Sequence, residues 1–193
     1  MIRKIVHYDA PVLRAKGREV GKITPKIHGL VADLFDSMRA ARGIGLAAQQ
    51  IGEAIQVAVI DVTGIKERPS KMWIDGKPVD PEEHMPLVLI DPVLKPTKTK
   101  VVSHEGCLSF PGLSLDIPRA QRVSVKTRTL EGGYLEFDAA GLLGRAVLHE
   151  VDHLHGRLFI DHVDSKVRRE IREDLEYIKR GEPIPVRAED KDD

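Results

Sequence analysis

The sequence predicts an α+β fold: antiparallel β-sheets packed around a central helix that carries His149 and His153, with an N-terminal helix before it and a C-terminal helix after it. Three observations carry this. Helix-period apolar spacing is concentrated in three segments, near 24–42, 139–155 and 165–180. Between the first two lie five β-rich runs, at 55–61, 87–94, 99–103, 122–130 and 134–137. The last two are joined by Glu131-Gly132-Gly133, which reads as a hairpin turn and makes that pairing antiparallel.

The first helix opens with Thr24 as N-cap and Pro25 at its first position, two signals that normally occur together. Ile27, Leu30, Val31, Leu34, Phe35 and Met38 then recur at offsets of three and four, forming one stripe towards the core. The helix runs to about Arg42 and delivers the chain into Gly43-Ile44-Gly45-Leu46-Ala47-Ala48-Gln49-Gln50. The segment 63–86 is polar and rich in Pro, Gly and charge, and reads as a long surface loop or a flap over a partner or substrate. Alternation is clearest in Val123, Val125 and Thr127. The second helix ends at Gly156 and aligns Leu142, Ala146, His149 and His153 on one side. In the third, Val167, Ile171, Leu175 and Ile178 form a narrow stripe that Gly181 terminates. One catalytic domain, 1–181, and a flexible charged tail, 182–193, are expected.

Composition bounds the function. The chain has 193 residues, 41% hydrophobic and 31% charged, as in ordinary globular proteins rather than disordered or fibrous ones. Lys+Arg 30 balances Asp+Glu 30, which argues against a chain-wide electrostatic grip on nucleic acid or anionic lipid, and no sequence-specific nucleic-acid binding is expected. No apolar run suits a secretory signal or a bilayer crossing, so no membrane association and a cytoplasmic location are expected. The single cysteine, Cys107, excludes an internal disulfide and is a buried small hydrophobe, a nucleophile or a metal ligand.

His149-Glu150-Val151-Asp152-His153 is an HExxH motif. Positions i and i+4 on a helix face the same way, so both imidazoles converge on one divalent ion while Glu150 reaches a water held there. A catalytic site of this type takes a third protein ligand and leaves one position open. The candidates are a carboxylate on the following helix (Glu170, Glu173 or Glu176) or Cys107 in Glu105-Gly106-Cys107-Leu108-Ser109. Gly43 and Gly45 leave the main chain open to close approach and to positive φ. The glycine-rich segment lacks the endings of phosphate-binding loops.

Taken together and in order, the segment 43–50, the Glu105–Ser109 block and the HExxH helix resemble those of the peptide deformylase family. Tyr8-Asp9-Ala10-Pro11-Val12-Leu13-Arg14 and the stretch 154–161 extend the likeness over about residues 5–165. The resemblance implies hydrolysis of the N-formyl group from the formyl-methionine of new polypeptides, releasing formate. It makes Cys107, His149 and His153 the ligands of one divalent metal, Fe²⁺ first, with Zn²⁺, Ni²⁺ or Co²⁺ as alternatives. It makes Glu150 the general base, and Gln50 Nε2 and the Leu108 backbone N–H the oxyanion donors. Gly45 then binds substrate backbone beside Gly43, and Ile44, Leu142 and Ala146 wall the methionine pocket. Glu105 is expected either to orient its own loop or to pair with a nearby Arg, and so to hold the ligands in place. Gln49 is expected to be a helix or surface residue without a role; His104 is not expected to be a ligand, and His7, His28, His84, His155 and His162 are expected at the surface. N-formyl-methionyl nascent peptides are the implied partners, with a transient ribosome contact through the basic side chains of the last helix.

Overall fold

Nine strands and four α-helices form the chain in a computed structural model that describes residues 1–185. The strands are β1 (Gly45–Ala47), β2 (Val57–Ile60), β3 (Ser70–Ile74), β4 (Lys77–Val79), β5 (Leu87–Pro96), β6 (Lys100–Gly106), β7 (Ser114–Ala120), β8 (Arg122–Arg128) and β9 (Tyr134–Ala140). The helices are α1 (Pro25–Ala40), α2 (Gly141–Leu154), α3 (Ser165–Glu170) and α4 (Arg172–Arg180). Seven strands make one sheet in the order β1-β2-β5-β8-β9-β3-β4, and β6 pairs with β7 in a second. All these strand pairings are antiparallel.

The α+β class and the central helix stand as expected. Every residue of α2 from Leu142 to Leu154 is buried except Leu148. A helix buried all round has no solvent face, so its polar residues must find partners or carry function. One side packs on the large sheet through Leu143, Val147 and Val151, among Leu89, Val123 and Ala139. Burying each such aliphatic side chain contributes about 1.5–3 kcal/mol, which holds the histidine-bearing helix in place. The opposite face of the sheet is covered by α1, through Ile27, Val31, Leu34 and Met38. A third cluster joins Leu13, Phe110 and Phe159 to Ile171, Leu175 and Ile178.

Several local boundaries differ from the sequence reading. Residues 63–86 are not a loop throughout: β3 and β4 form a hairpin at the edge of the large sheet, with Met72 in the core. The overlooked signal is Asp75-Gly76, both at positive φ, 50° and 73°, the dipeptide preferred in two-residue hairpin turns. Strand β7 was also missed, because Pro118 interrupts its pattern; it is tolerated in a two-stranded ribbon. The second helix starts at Gly141 rather than 139, since Ala139 and Ala140 still pair in β9. Gly141 has φ 65°, and a Cβ there would lie 2.1 Å from the Pro69 carbonyl oxygen, so the strand-to-helix corner requires glycine.

Helix α1 stops at Ala40, two residues early, and Thr24 occupies the N-cap position without a side-chain hydrogen bond. The last helical segment is interrupted at Ile171, which is buried while its neighbours Glu170 and Arg172 are exposed. The expected tail does not begin at 182: Ile184 packs against Gly112 and the third cluster. Residues 186–193 of that expectation lie outside the described residues.

Candidate metal centre and groove

Cys107 follows directly on β6, in a turn closed by the Phe110 N–H donating to the Cys107 carbonyl at 2.8 Å. That turn presents the thiol to α2, where His149 and His153 stand one turn apart. The ligand atoms of Cys107, His149 and His153 lie within 4.8 Å of one another. Cys107 Sγ is 3.4 Å from His153 Nε2. Tetrahedral coordination with metal–sulfur and metal–nitrogen bonds of about 2.3 and 2.0 Å places such atoms roughly 3.5 Å apart, so a divalent ion fits between them. The other three candidates, Glu170, Glu173 and Glu176, are exposed on α3 and α4 and do not join the cluster.

His149 is held by its other nitrogen. Its Nδ1 is 3.0 Å from Glu105 Oε2, which directs Nε2 to the cluster. Burial favours the neutral ring, but hydrogen bonds with Cys107 and Glu105 outweigh it and raise the His149 pKa well above the usual value. Burial and the neighbouring His149 hold His153 neutral, the form that ligates, and its buried Nδ1 has no partner among the described residues.

Glu105 anchors a buried charge network. Arg119 donates to it through Nε at 2.9 Å and Nη2 at 3.0 Å, and Arg145 through Nη1 at 2.7 Å. Burial alone would raise the Glu105 pKa, yet the bonds from His149 and Arg119 hold it well below the carboxylate range. Arg119 also pairs with Asp152, and His162 Nε2 is 2.7 Å from the same carboxylate. There burial again raises and His162 and Arg119 lower, leaving Asp152 at about 2.

Sequence reasoning missed Arg119, Arg145, Asp152 and His162. Two signals were present: Arg145 is four residues before His149 and so shares its helical face, and Arg119 alternates with buried Ile117 on β7. His162 is thus part of the charge network and not a plain surface residue. His104, by contrast, is exposed beside Asp116, 3.3 Å away, and lies outside the cluster.

Glu150, the next residue along α2 after His149, faces the groove beside Gly45. It is 5% exposed, its Oε2 has no hydrogen-bond partner among the described residues, and burial pushes its pKa up to about 7. Gly45 makes room for it: a Cβ at Gly45 would come within 2.3 Å of Glu150 Oε1. Gln50 is oriented from both ends, its Oε1 accepting from Ala47 N–H at 2.9 Å and its Nε2 reaching Ser109 Oγ at 3.2 Å and Cys107 Sγ at 3.6 Å. The Leu108 N–H makes no hydrogen bond among the described residues and is free to donate.

These groups line a groove of about 420 Å³. Gly43, Ile44 and Gly45 form one wall, Leu142 and Ala146 line it from α2, and Cys107 and Leu108 complete it. Of the two places expected for Gln49, it takes the helical one and not the surface: it lies in the short 3₁₀ helix Ala48–Ile51 and is 0% exposed. The one-residue step along the 3₁₀ turn at Ala48–Ile51 sends it inward against Gly17 while Gln50 faces Cys107.

The family model of polypeptide deformylase matches residues 2–169. The chain belongs to the polypeptide deformylase family. A peptide deformylase of Methylacidiphilum infernorum is 51% identical over 184 residues, covering 95% of this chain and 96% of its own. One from Opitutus terrae is 36% identical over 183 residues, covering 93% and 94%. Among solved structures, peptide deformylase from Ehrlichia chaffeensis superposes with a TM-score of 0.79 at 30% identity, covering 97% of this chain and 100% of its own. This deformylase is therefore a metal-dependent hydrolase that removes the N-formyl group of formyl-methionyl nascent peptides and releases formate. None of its described helices is long and apolar enough to cross a membrane.

Proposed function

We propose that Cys107, His149 and His153 hold the divalent ion, Fe²⁺ in the cell, and that Glu150 and Gln50 carry the proton transfers and charge stabilisation of deformylation. When bound, the ion lowers the pKa of a water and polarises the formyl group. A thiolate and two neutral imidazoles leave it one net positive charge, against two with three imidazoles, so more of the activation falls to Glu150. Glu150 takes the proton from the attacking water and passes it to the leaving amine. Gln50 Nε2 and the Leu108 N–H stabilise the negative charge that develops on the former formyl oxygen. Gly45 and Gly43 admit the substrate backbone, Ile44, Leu142 and Ala146 receive the methionine side chain, and Glu105 keeps His149 in its ligating orientation.

The observation that carries this reading is the convergence of one sulfur and two ring nitrogens within 4.8 Å, with an unpartnered buried carboxylate oxygen beside them. Formate release from formyl-Met-Ala-Ser by anaerobically prepared protein tests it, with metal content measured on wild type, Glu150→Ala and Cys107→Ser. The expected result is release by wild type alone, with metal kept by Glu150→Ala and lost by Cys107→Ser. Full activity in Cys107→Ser would overturn the ligand set. Metal analysis and activity after reconstitution with Fe²⁺, Zn²⁺, Ni²⁺ or Co²⁺ test the choice of ion.

The proposal includes a cytoplasmic location, one catalytic domain over 1–181 and a transient ribosome contact through α3 and α4. Arg169 and Arg172 make no hydrogen bond or salt bridge among the described residues, which supports an outward electrostatic role. Co-sedimentation with ribosomes that fails at low salt would remove that contact.

A further inference from the structure

The mouth of the groove is cationic although the chain as a whole is neutral. Arg42 enters it from the segment leaving α1, and Arg68 from the loop before β3; both are exposed. The carboxylates lining the same groove are already committed, Glu105 to two arginines and His149, and Glu150 to the reacting centre. Past Arg68 the groove continues into a second hollow of about 400 Å³ that shares Arg68, Leu142 and Arg145. It adds Lys71 and Gln121, and no carboxylate lines it among the described residues.

The two arginines are held differently. Arg68 Nη2 donates to the His104 carbonyl at 2.9 Å and to Ser103 Oγ at 3.4 Å, which ties the exposed guanidinium to β6. Arg42 has φ 55°, the left-handed position after a helix that favours glycine. Its side chain makes no hydrogen bond or salt bridge among the described residues, so capping does not explain an arginine there. With a methionine against Ile44, Leu142 and Ala146, as the proposed function has it, the residues that follow would leave by the open side of the groove that Arg42 and Arg68 line.

We propose that Arg42 and Arg68 are specificity-determining residues that give this enzyme a preference for formyl-methionyl chains whose next residues are acidic. The inference rests on the assignment of the groove as the formyl-peptide site. Each pair formed is exposed, so each contributes about 1.5- to 5-fold, expressed in KM rather than kcat and weakened by salt.

The test compares kcat/KM for formyl-Met-Asp-Glu, formyl-Met-Lys-Lys and formyl-Met-Ala-Ser at low and high salt, in wild type, Arg42→Glu and Arg68→Glu. Wild type is expected to favour the acidic over the basic peptide by roughly 2- to 25-fold at low salt, less at high salt. Both charge reversals are expected to lower or invert that ratio. Arg42→Glu keeps the test sound if loss of the Arg68 contact to β6 disturbs folding, because the Arg42 side chain is bound to nothing. A ratio near one in wild type, or a ratio that neither reversal changes, overturns the proposal. Formate from formyl-Met-Ala-Ser alongside such a ratio leaves the catalytic assignment standing, whereas no formate from any peptide overturns both.

Discussion

Glu105 and Glu150 are equally buried, each 5% exposed, yet their environments drive them in opposite directions. Glu105 receives hydrogen bonds from Arg119 and Arg145 and faces His149, and stays ionised. Glu150 keeps an oxygen without a partner, and burial alone dominates, raising it to about 7. Equal burial therefore yields a fixed anion where partners surround it, and a carboxylate poised to exchange a proton near neutral pH where they do not.

The sharpest way to break this contrast is to neutralise the unpaired member. Glu150→Gln is expected to lower kcat by about 10²- to 10⁴-fold, the usual worth of general acid–base catalysis. Its melting temperature should equal or exceed that of wild type, because a buried carboxylate without a partner does not stabilise the fold. A clear loss of stability with retained kcat would reverse the roles assigned to the two residues.

Glu105→Ala should show the opposite pattern. It leaves Arg119 and Arg145 short of a counter-charge in the interior, at an expected cost of about 3–5 kcal/mol measured by denaturant unfolding. It should also weaken metal binding by roughly 10- to 100-fold through the freed His149 ring, read by competition with a chelator. Unchanged unfolding and unchanged metal affinity would show that the network is dispensable.

Steric and donor changes on the Glu150 side should be smaller in stability and still large in rate. Gln50→Ala is expected to cost about 2.7–4 kcal/mol of transition-state stabilisation, seen in kcat with KM little changed. Gly45→Ala places a methyl 2.3 Å from Glu150 Oε1 and should displace it, lowering kcat with an overpacking cost of about 1–3 kcal/mol in stability. Wild-type turnover in either variant would sink the corresponding contact.

The smallest effect is expected at Asp161, a carboxylate that is neither deeply buried nor free. Burial raises its pKa, but bonds from Arg14, the Leu158 N–H and Arg168 prevail and lower it. A depressed carboxylate contributes stability that is fully present above its unfolded value of about 3.9 and is lost as pH falls through the folded value. Asp161→Asn should remove that part of the acid limb, by less than about 1 kcal/mol given the partial exposure. An unchanged melting profile between pH 5 and 2 would exclude the contribution.

How much could be read from residues alone follows the distance over which each feature is decided. The 3.6-residue period carried α1, α2 and the stripe through Ile171, and the HExxH spacing implied a shared ligand face, because i and i+4 are neighbours within any helix. The Asp75-Gly76 turn was equally local and was overlooked only because the polar stretch around it resembled a loop. Strand β7 was obscured by Pro118, and its pairing with β6 is a contact between separate segments.

By itself the sequence determined the two imidazoles, the cysteine and carboxylates available to them, the glycine-rich wall, and the family these blocks resemble. Only the tertiary structure shows which of the candidate third ligands stands beside His149 and His153: Cys107, 42 residues from His149 along the chain, comes within 4.8 Å of both through β6 and the closing turn. It alone also decided that Glu105 is clamped by Arg119 and Arg145 while Glu150 is left unpaired. Neither motif nor periodicity encodes that difference, because the charge state of a buried carboxylate depends on the partners folding brings around it and not on its neighbours in the chain.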